Sequence, residues 1–220
     1  TNGILLSRYA EDLFNAGLSR INISLDTLKE IRFKQITCGG DIREVFSGIV
    51  AARKLNFSPI KVNVVVMRGI NDDEIIDFIE WGERELLNVR FIEFMPLFGE
   101  DYFYLLKRVM HEIVKEKNLV SVDVSGSGPA RNFKPGGGDS IIGFILPRSA
   151  PFCKDCNRLR LTSNGILLPC LFSTKGFDFK KVLREGGDIR SLFYEAVSRK
   201  PEKHNLNSIG QYQYMNQIGG

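Results

Sequence analysis

Three of the four cysteines fall in one stretch, Pro151 to Cys170, and their spacing is the first chemistry the chain offers. Cys153 and Cys156 stand as C-x-x-C, the spacing of a knuckle whose two thiolates converge on one ion or cluster. Cys170 follows after a segment that reads as a β-hairpin: Arg158 to Thr162 alternate polar with apolar, Asn164-Gly165 signals a two-residue type I′ turn, and Ile166 to Leu168 return. Such a turn sets Leu159 opposite Cys170, so the hairpin carries the third thiol back to the knuckle. The same pairing puts Cys170 on the Leu159 face, away from Arg158 and Arg160, unless Pro169 introduces a bulge that re-aims it.

Three thiolates are one short of a closed tetrahedral zinc site, and a four-iron cluster held by three cysteines keeps one iron open. Three readings stand at this point: a disulfide between two of the three, a zinc knuckle completed by Cys38, His111 or His204, and a cluster. Arg158 and Arg160 share a face of their strand, where a guanidinium pair suits phosphate or carboxylate; the plainer alternative is a solvated hairpin face.

Composition narrows the partners. The 220 residues carry 30 Lys and Arg against 26 Asp and Glu, a net charge of +4 that suits an anionic ligand and falls short of a nucleic-acid footprint. No apolar run reaches the roughly 18 residues of a membrane span. Three ligand-like cysteines out of four point to a reducing cytoplasm rather than a disulfide scaffold.

The elements that must position these residues alternate. Ser7 to Ala16 read as a helix with Ser7 as N-cap and Gly17 as stop, and Ile21 to Leu25 as a short strand ending in polar residues. Arg43 to Leu55 form a helix, Lys61 to Met67 a nearly continuous apolar strand of the kind buried on both faces, with Lys61 a solvated flank unless it alternates inward. Asn71 reads as the cap of a helix through Trp81, and Val89 to Met95 as a third strand. This order predicts βα units around a parallel sheet, with ligands at strand ends such as Ser24 and Met95. Tyr102 to Lys117 read as a helix leading out of the α/β part, 125–139 as loop without a phosphate-binding fingerprint, and Ser140 to Leu146 as a strand. Two helices, Phe179 to Arg184 and Ile189 to Ser198, precede a polar tail from Lys200 that ends in Gly219-Gly220.

Seven stretches, in order, resemble the molybdenum cofactor biosynthesis protein A family, the radical S-adenosylmethionine (SAM) GTP 3′,8-cyclases. They are Thr-Asn-Gly at 1–3, Ile-Asn-Ile-Ser-Leu-Asp at 21–26, Lys-Val-Asn-Val-Val at 61–65, Gly-Ile-Asn-Asp-Asp at 69–73, Arg-Phe-Ile-Glu-Phe-Met at 90–95, the cysteine hairpin, and the final Gly-Gly. The resemblance implies a partial TIM-like β/α barrel of the radical SAM type over 1–100, then a C-terminal α+β region with the cysteine hairpin over 101–220. In that family two 4Fe-4S clusters face each other: one cleaves SAM to a 5′-deoxyadenosyl radical that abstracts the ribose 3′ hydrogen of GTP, the other holds GTP. GTP becomes 3′,8-cyclo-7,8-dihydro-GTP, the first step of molybdenum cofactor biosynthesis.

By that resemblance Cys153, Cys156 and Cys170 ligate the GTP-side cluster. Arg158, Leu159 through its backbone, Arg160, Thr1 and Lys61 match GTP-binding positions, and Ser24 and Met95 match SAM contacts. Gly219 and Gly220 match a C-terminal pair that reaches the active site. A homodimer, and cyclic pyranopterin monophosphate synthase downstream, are the implied protein partners, with no nucleic acid and no membrane. The family's radical cluster needs C-x-x-x-C-x-x-C, which these residues do not contain. The expectation is therefore a C-terminal portion that is inactive alone. A zinc-stabilised binding module without catalysis is the rival reading.

Overall fold

A computed structural model describes residues 1–95, 102–124, 128–173 and 175–203. Apolar residues at alternate positions form strands, and apolar residues three and four apart form the helices that cover them. In order these are α1 (Leu6–Asn15), β1 (Ile21–Ser24), α2 (Glu30–Ile36), α3 (Ile42–Lys54), β2 (Ile60–Val66), a 3₁₀ turn (Asp72–Glu74), α4 (Ile75–Glu85), β3 (Asn88–Glu93), α5 (Leu106–Glu116), β4 (Val120–Ser121), β5 (Arg131–Lys134) and β6 (Ile142–Ile145). A second 3₁₀ turn (Cys153–Asp155), β7 (Arg160–Leu161), β8 (Ile166–Leu168), β9 (Phe177–Asp178), α6 (Phe179–Arg184) and α7 (Ile189–Ser198) complete the chain. The described residues gather into two compact units that part between Ala150 and Pro151, not at the 100/101 boundary expected from sequence. Among them no helix is long and apolar enough to cross a membrane.

The first unit is a mixed sheet in the order β1-β2-β3-β6-β5-β4. β1, β2, β3 and β6 run parallel, β5 pairs antiparallel with β6, and β4 pairs antiparallel with β5. Among the described residues this sheet is open, with edges at β1 and β4, and is not a closed barrel. Ile21, Ile23, Val62, Val64, Val66, Val89 and Phe91 fill its buried face, against Leu6, Ala10, Val45, Ile49, Phe78 and Ile79 of the helices. β2 buries only alternate residues, because Lys61 and Asn63 point to the opposite, half-covered face; the reading of burial on both faces is corrected.

Local composition misled elsewhere too. Part of the stretch read as loop is β5, drawn into the sheet by pairing Arg131 with Phe144 and Phe133 with Ile142; the Phe133 and Phe144 rings meet edge-on at 6.0 Å. Tertiary pairing here overrides a glycine-rich neighbourhood. α5 does not lead out of the α/β part: Leu106, Met110 and Ile113 belong to the same core. Ser7 is not a cap, since α1 already starts at Leu6. The short α2 escaped notice because Phe33 is its one fully buried residue.

Asn71 does not cap α4 either. Its amide donates to the carbonyls of Asp26 (2.6 Å) and Val65 (2.9 Å) and accepts from Met67 N–H at 2.7 Å. It thus ties the loop after β1 to the end of β2. Asp26 Oδ1 accepts from Val65 N–H at 2.8 Å. Fully buried Glu74 takes Thr27 Oγ1 and Leu28 N–H, each at 2.7 Å, and pairs with Arg32. These polar bonds hold the carboxyl end of β1, where Ser24 sits, in one place.

Burial pushes the Asp26 carboxyl above its usual range, and the Val65 hydrogen bond only partly offsets this. The folded protein then holds this proton more tightly than the unfolded chain, so stability falls as pH rises from about 4, the unfolded value, through the folded one. Asp26→Asn keeps an acceptor for Val65 and removes the charge. Its urea midpoint at pH 7 is expected to rise above that of the parent, with the pH-dependent decline lost; a lower midpoint would contradict this account of Asp26.

Candidate functional site

The half-covered face of the first unit carries polar side chains at every second residue. Asn22 stands beside Lys61 and Ser24 beside Asn63, and Asn63 is in turn beside Arg90 on β3. The Arg90 guanidinium donates from Nε to Asn63 Oδ1 and from Nη2 to Asn22 Oδ1, each at 2.8 Å. Two carboxamides thereby fix the direction of a cation across three strands. Lys61 is half-buried, and its ammonium is held below its usual range by burial first and then by the neighbouring charges of Arg90 and Arg20. A cleft of about 430 Å³ opens at the amino ends of β1 and β2, lined by Arg20, Asn22, Pro59 and Lys61 with the turn 17–19. Three cations on one face, two of them disfavouring the charge of the third, make a place where an anion is welcome.

Thr1 lies along β1: its ammonium donates to Asn22 O at 3.1 Å and its carbonyl accepts from Ser24 N–H at 2.9 Å. Ser24 is exposed at the carboxyl end of β1, and half-buried Met95 lies just beyond the end of β3. Strand direction therefore separates the residues expected to contact SAM from the cleft beside Lys61. Close to Met95, fully buried Glu93 accepts the backbone N–H groups of Arg148 and Ser149 with one oxygen, both at 2.8 Å. This fixes the segment that leads into Pro151 and the cysteines.

In the second unit the knuckle is a 3₁₀ turn, closed by Cys156 N–H on Cys153 O at 3.2 Å. The hairpin forms with a different register from that expected. Arg160 pairs with Leu168 and Leu161 with Leu167, so Leu159 falls opposite Pro169, and Arg158, not Leu159, falls opposite Cys170. Its loop has three residues. A type I′ turn needs positive φ at both central residues, yet only Gly165 (φ 89°) takes that conformation and Asn164 does not. Thr162 closes the turn by donating its N–H to Ile166 O and accepting Gly165 N–H, both at 2.9 Å. A one-residue slip exchanges faces. The observed pairs end at Arg160 and Leu168, and continuing their register would put Cys170 across from Arg158 rather than Leu159.

Burial lowers the affinity of the Arg160 guanidinium for its proton and the like charge of Arg158 adds to this, while Cys170 and Cys156 oppose it. Arg158 is exposed and stacks over the Phe152 ring at 5.8 Å. None of the four cysteines is joined in a disulfide in this structure. Among the described residues no three His, Cys, Asp or Glu side chains are gathered for a single ion. Cys38 and His111 belong to the first unit, while His204, Gly219 and Gly220 lie outside the described residues. The donor set, three half-buried thiols on one short segment beside guanidinium groups, has the softness that iron-sulfur chemistry uses.

Residues 1–82 match the Radical SAM superfamily, and residues 87–206, more than half of the chain, match the family described as Molybdenum Cofactor Synthesis C. The chain belongs to the molybdenum cofactor synthesis family of radical SAM enzymes. Family members named GTP 3′,8-cyclase are close in sequence. That of Thermodesulfovibrio yellowstonii is 45% identical over 211 residues, covering 92% of this chain and 65% of the relative. Those of Alkaliphilus oremlandii and Moorella thermoacetica are each 43% identical over 229 residues, covering all of this chain and 71% of the relative. The chain thus spans about two thirds of the length of these family members.

Asn22, Asn63, Arg90 and Arg20 received no role from sequence reasoning, and Asn71 only that of a helix cap. A signal was present for the first two: Asn22 with Ser24, and Lys61 with Asn63, put polar residues at a spacing of two inside apolar strands. Nothing in sequence marked Asn71 as a tie between loops.

Gly165 sets the hairpin register, and a Cβ there would stand 2.5 Å from Lys180 Cβ; at Gly186 (φ 71°) a Cβ would meet nothing within 4 Å. Backbone strain alone makes each Gly→Ala cost about 1–2 kcal/mol. Thermal unfolding of Gly165→Ala is therefore expected to lie below that of Gly186→Ala. Equal midpoints would show that the close approach of Lys180 to Gly165 costs nothing.

Proposed function

We propose that this chain provides the GTP-holding part of a GTP 3′,8-cyclase, acting in the first step of molybdenum cofactor biosynthesis. The observation that carries this reading is the match of residues 87–206 to the family described as Molybdenum Cofactor Synthesis C, with Cys153, Cys156 and Cys170 on the one segment that bears Arg158 and Arg160. Cys153, Cys156 and Cys170 would hold a 4Fe-4S cluster. When bound, that cluster supplies one iron without a cysteine ligand, open to a donor atom of the purine.

The protein's own residues bind and orient. Arg160, partly desolvated and beside the like charge of Arg158, gains from an anion between the two guanidinium groups, and the Leu159 backbone lies between them in sequence. Lys61, with Arg20 and Arg90 nearby, offers a second place for negative charge, and Thr1 lies along the neighbouring strand. The Asn22 and Asn63 carboxamides hold the Arg90 fork, so its charge needs no reorganisation on binding. Ser24 and Met95, at the carboxyl ends of their strands, would contact SAM, and Gly219-Gly220 would approach the substrate where no side chain fits. GTP would be cyclised to 3′,8-cyclo-7,8-dihydro-GTP, the substrate of cyclic pyranopterin monophosphate synthase. The 220 residues alone would bind GTP without cyclising it, because radical formation calls on C-x-x-x-C-x-x-C thiolates that they do not contain.

Equilibrium dialysis of GTP against the anaerobically reconstituted chain tests this. Arg160→Met and Lys61→Met are each expected to weaken GTP about tenfold to a hundredfold, the worth of one charge-assisted hydrogen bond. GTP affinity unchanged in both variants would overturn the assignment.

A further inference from the structure

The hairpin ladder stops one rung short of the thiol it carries. Thr162 N–H donates to Ile166 O, and the Arg160–Leu168 pair follows two residues on, so the next rung of a regular antiparallel ladder joins Arg158 with Cys170. That rung is replaced. Cys170 N–H turns to Ser173 Oγ at 3.2 Å, while the Arg158 carbonyl accepts from Lys200 Nζ at 2.7 Å. The same ammonium donates to Pro169 O at 2.8 Å. Leu159 and Pro169 face each other as a non-hydrogen-bonded pair, which exchanges no backbone bond, so Lys200 adds a side-chain tie between the strands beside Cys170.

Lys200 is well placed for such a task. It follows α7 by two residues, and that helix is anchored at its start by Asp188, which accepts from Arg190 N–H (2.9 Å) and Ser191 N–H (3.2 Å). An ammonium has three donors and no acceptor. Two of them bridge carbonyls on opposite strands, which spaces the strands more widely than a direct N–H···O rung.

We propose that Lys200 is a positioning residue of the three-thiolate site: its ammonium bridges the two strands where they part, setting the distance of Cys170 from the Cys153–Cys156 knuckle and placing a positive charge beside the thiolates. This rests on the reading that those thiolates hold a cluster. Groups that orient metal ligands from behind govern retention and electronic tuning as much as the ligands do.

The full chain, reconstituted anaerobically, is compared as the parent, Lys200→Met, Lys200→Arg and Arg199→Met, with iron release to a chelator and the cluster's reduction potential as readouts. Lys200→Met is expected to release iron about tenfold to a hundredfold faster than the parent, with its potential moved to more negative values because a cation is gone. Lys200→Arg restores slow release and the parent potential, and Arg199→Met matches the parent. Release and potential both unchanged in Lys200→Met would overturn the proposal while the cluster reading stands. Lys200→Arg releasing iron as fast as Lys200→Met would overturn it as well. A parent chain that takes up no iron would end the cluster reading and this proposal with it.

Discussion

The register of one short hairpin governs what the cysteine segment can do. Gly165 alone takes the left-handed conformation at the turn, so the loop has three residues and every side chain on the return strand stands one residue away from where a two-residue turn would put it. Thr162, buried at the base of this turn, bonds through its hydroxyl to the Ile166 carbonyl at 3.0 Å and receives Ile166 N–H at 2.8 Å. Backbone and side chain thus enforce the same pairing. Its consequence is that the ladder brings Arg160 across from Leu168 and ends two residues before Cys170.

The first unit solves a different problem, presenting charge from inside a parallel sheet. Parallel strands are usually covered on both faces and read as unbroken apolar runs. Here one face is packed under helices while the other keeps Asn22, Ser24, Lys61, Asn63 and Arg90. Their desolvation is tolerable because amides satisfy the guanidinium and because Lys61 stays half exposed. The loops at the carboxyl ends are then locked by buried groups with complete sets of partners: Asn71 spans two loops, and Glu74 joins Thr27, Leu28 and Arg32. A buried carboxylate of this kind costs much when its partners are removed and little while they are present.

The elements with strong periodicity were legible in the sequence: β1, β2, β3, α3, α4, α6 and α7 lie within a few residues of where their patterns put them. What escaped depends on distant partners. β5 is a strand because β6 offers it an edge, and α5 belongs to the first core because that core accepts Leu106, Met110 and Ile113. At the site, residue types and spacing pointed to thiolate and anion chemistry, but the faces did not follow, because the choice between a two- and a three-residue turn rests on whether Asn164 adopts positive φ. Lys200 and Asn71 show the same limit. Their partners are backbone carbonyls, which leave no mark in a sequence.

The central claim is that three thiolates of one hairpin hold a cluster beside the arginines. Anaerobic iron and sulfide quantitation with an absorption spectrum, on the full chain and on Cys153→Ala, tests it most directly. About four iron and four sulfide per chain, lost in the variant, is the result the account predicts. A chain that stays free of iron after reconstitution and instead holds one zinc would contradict it.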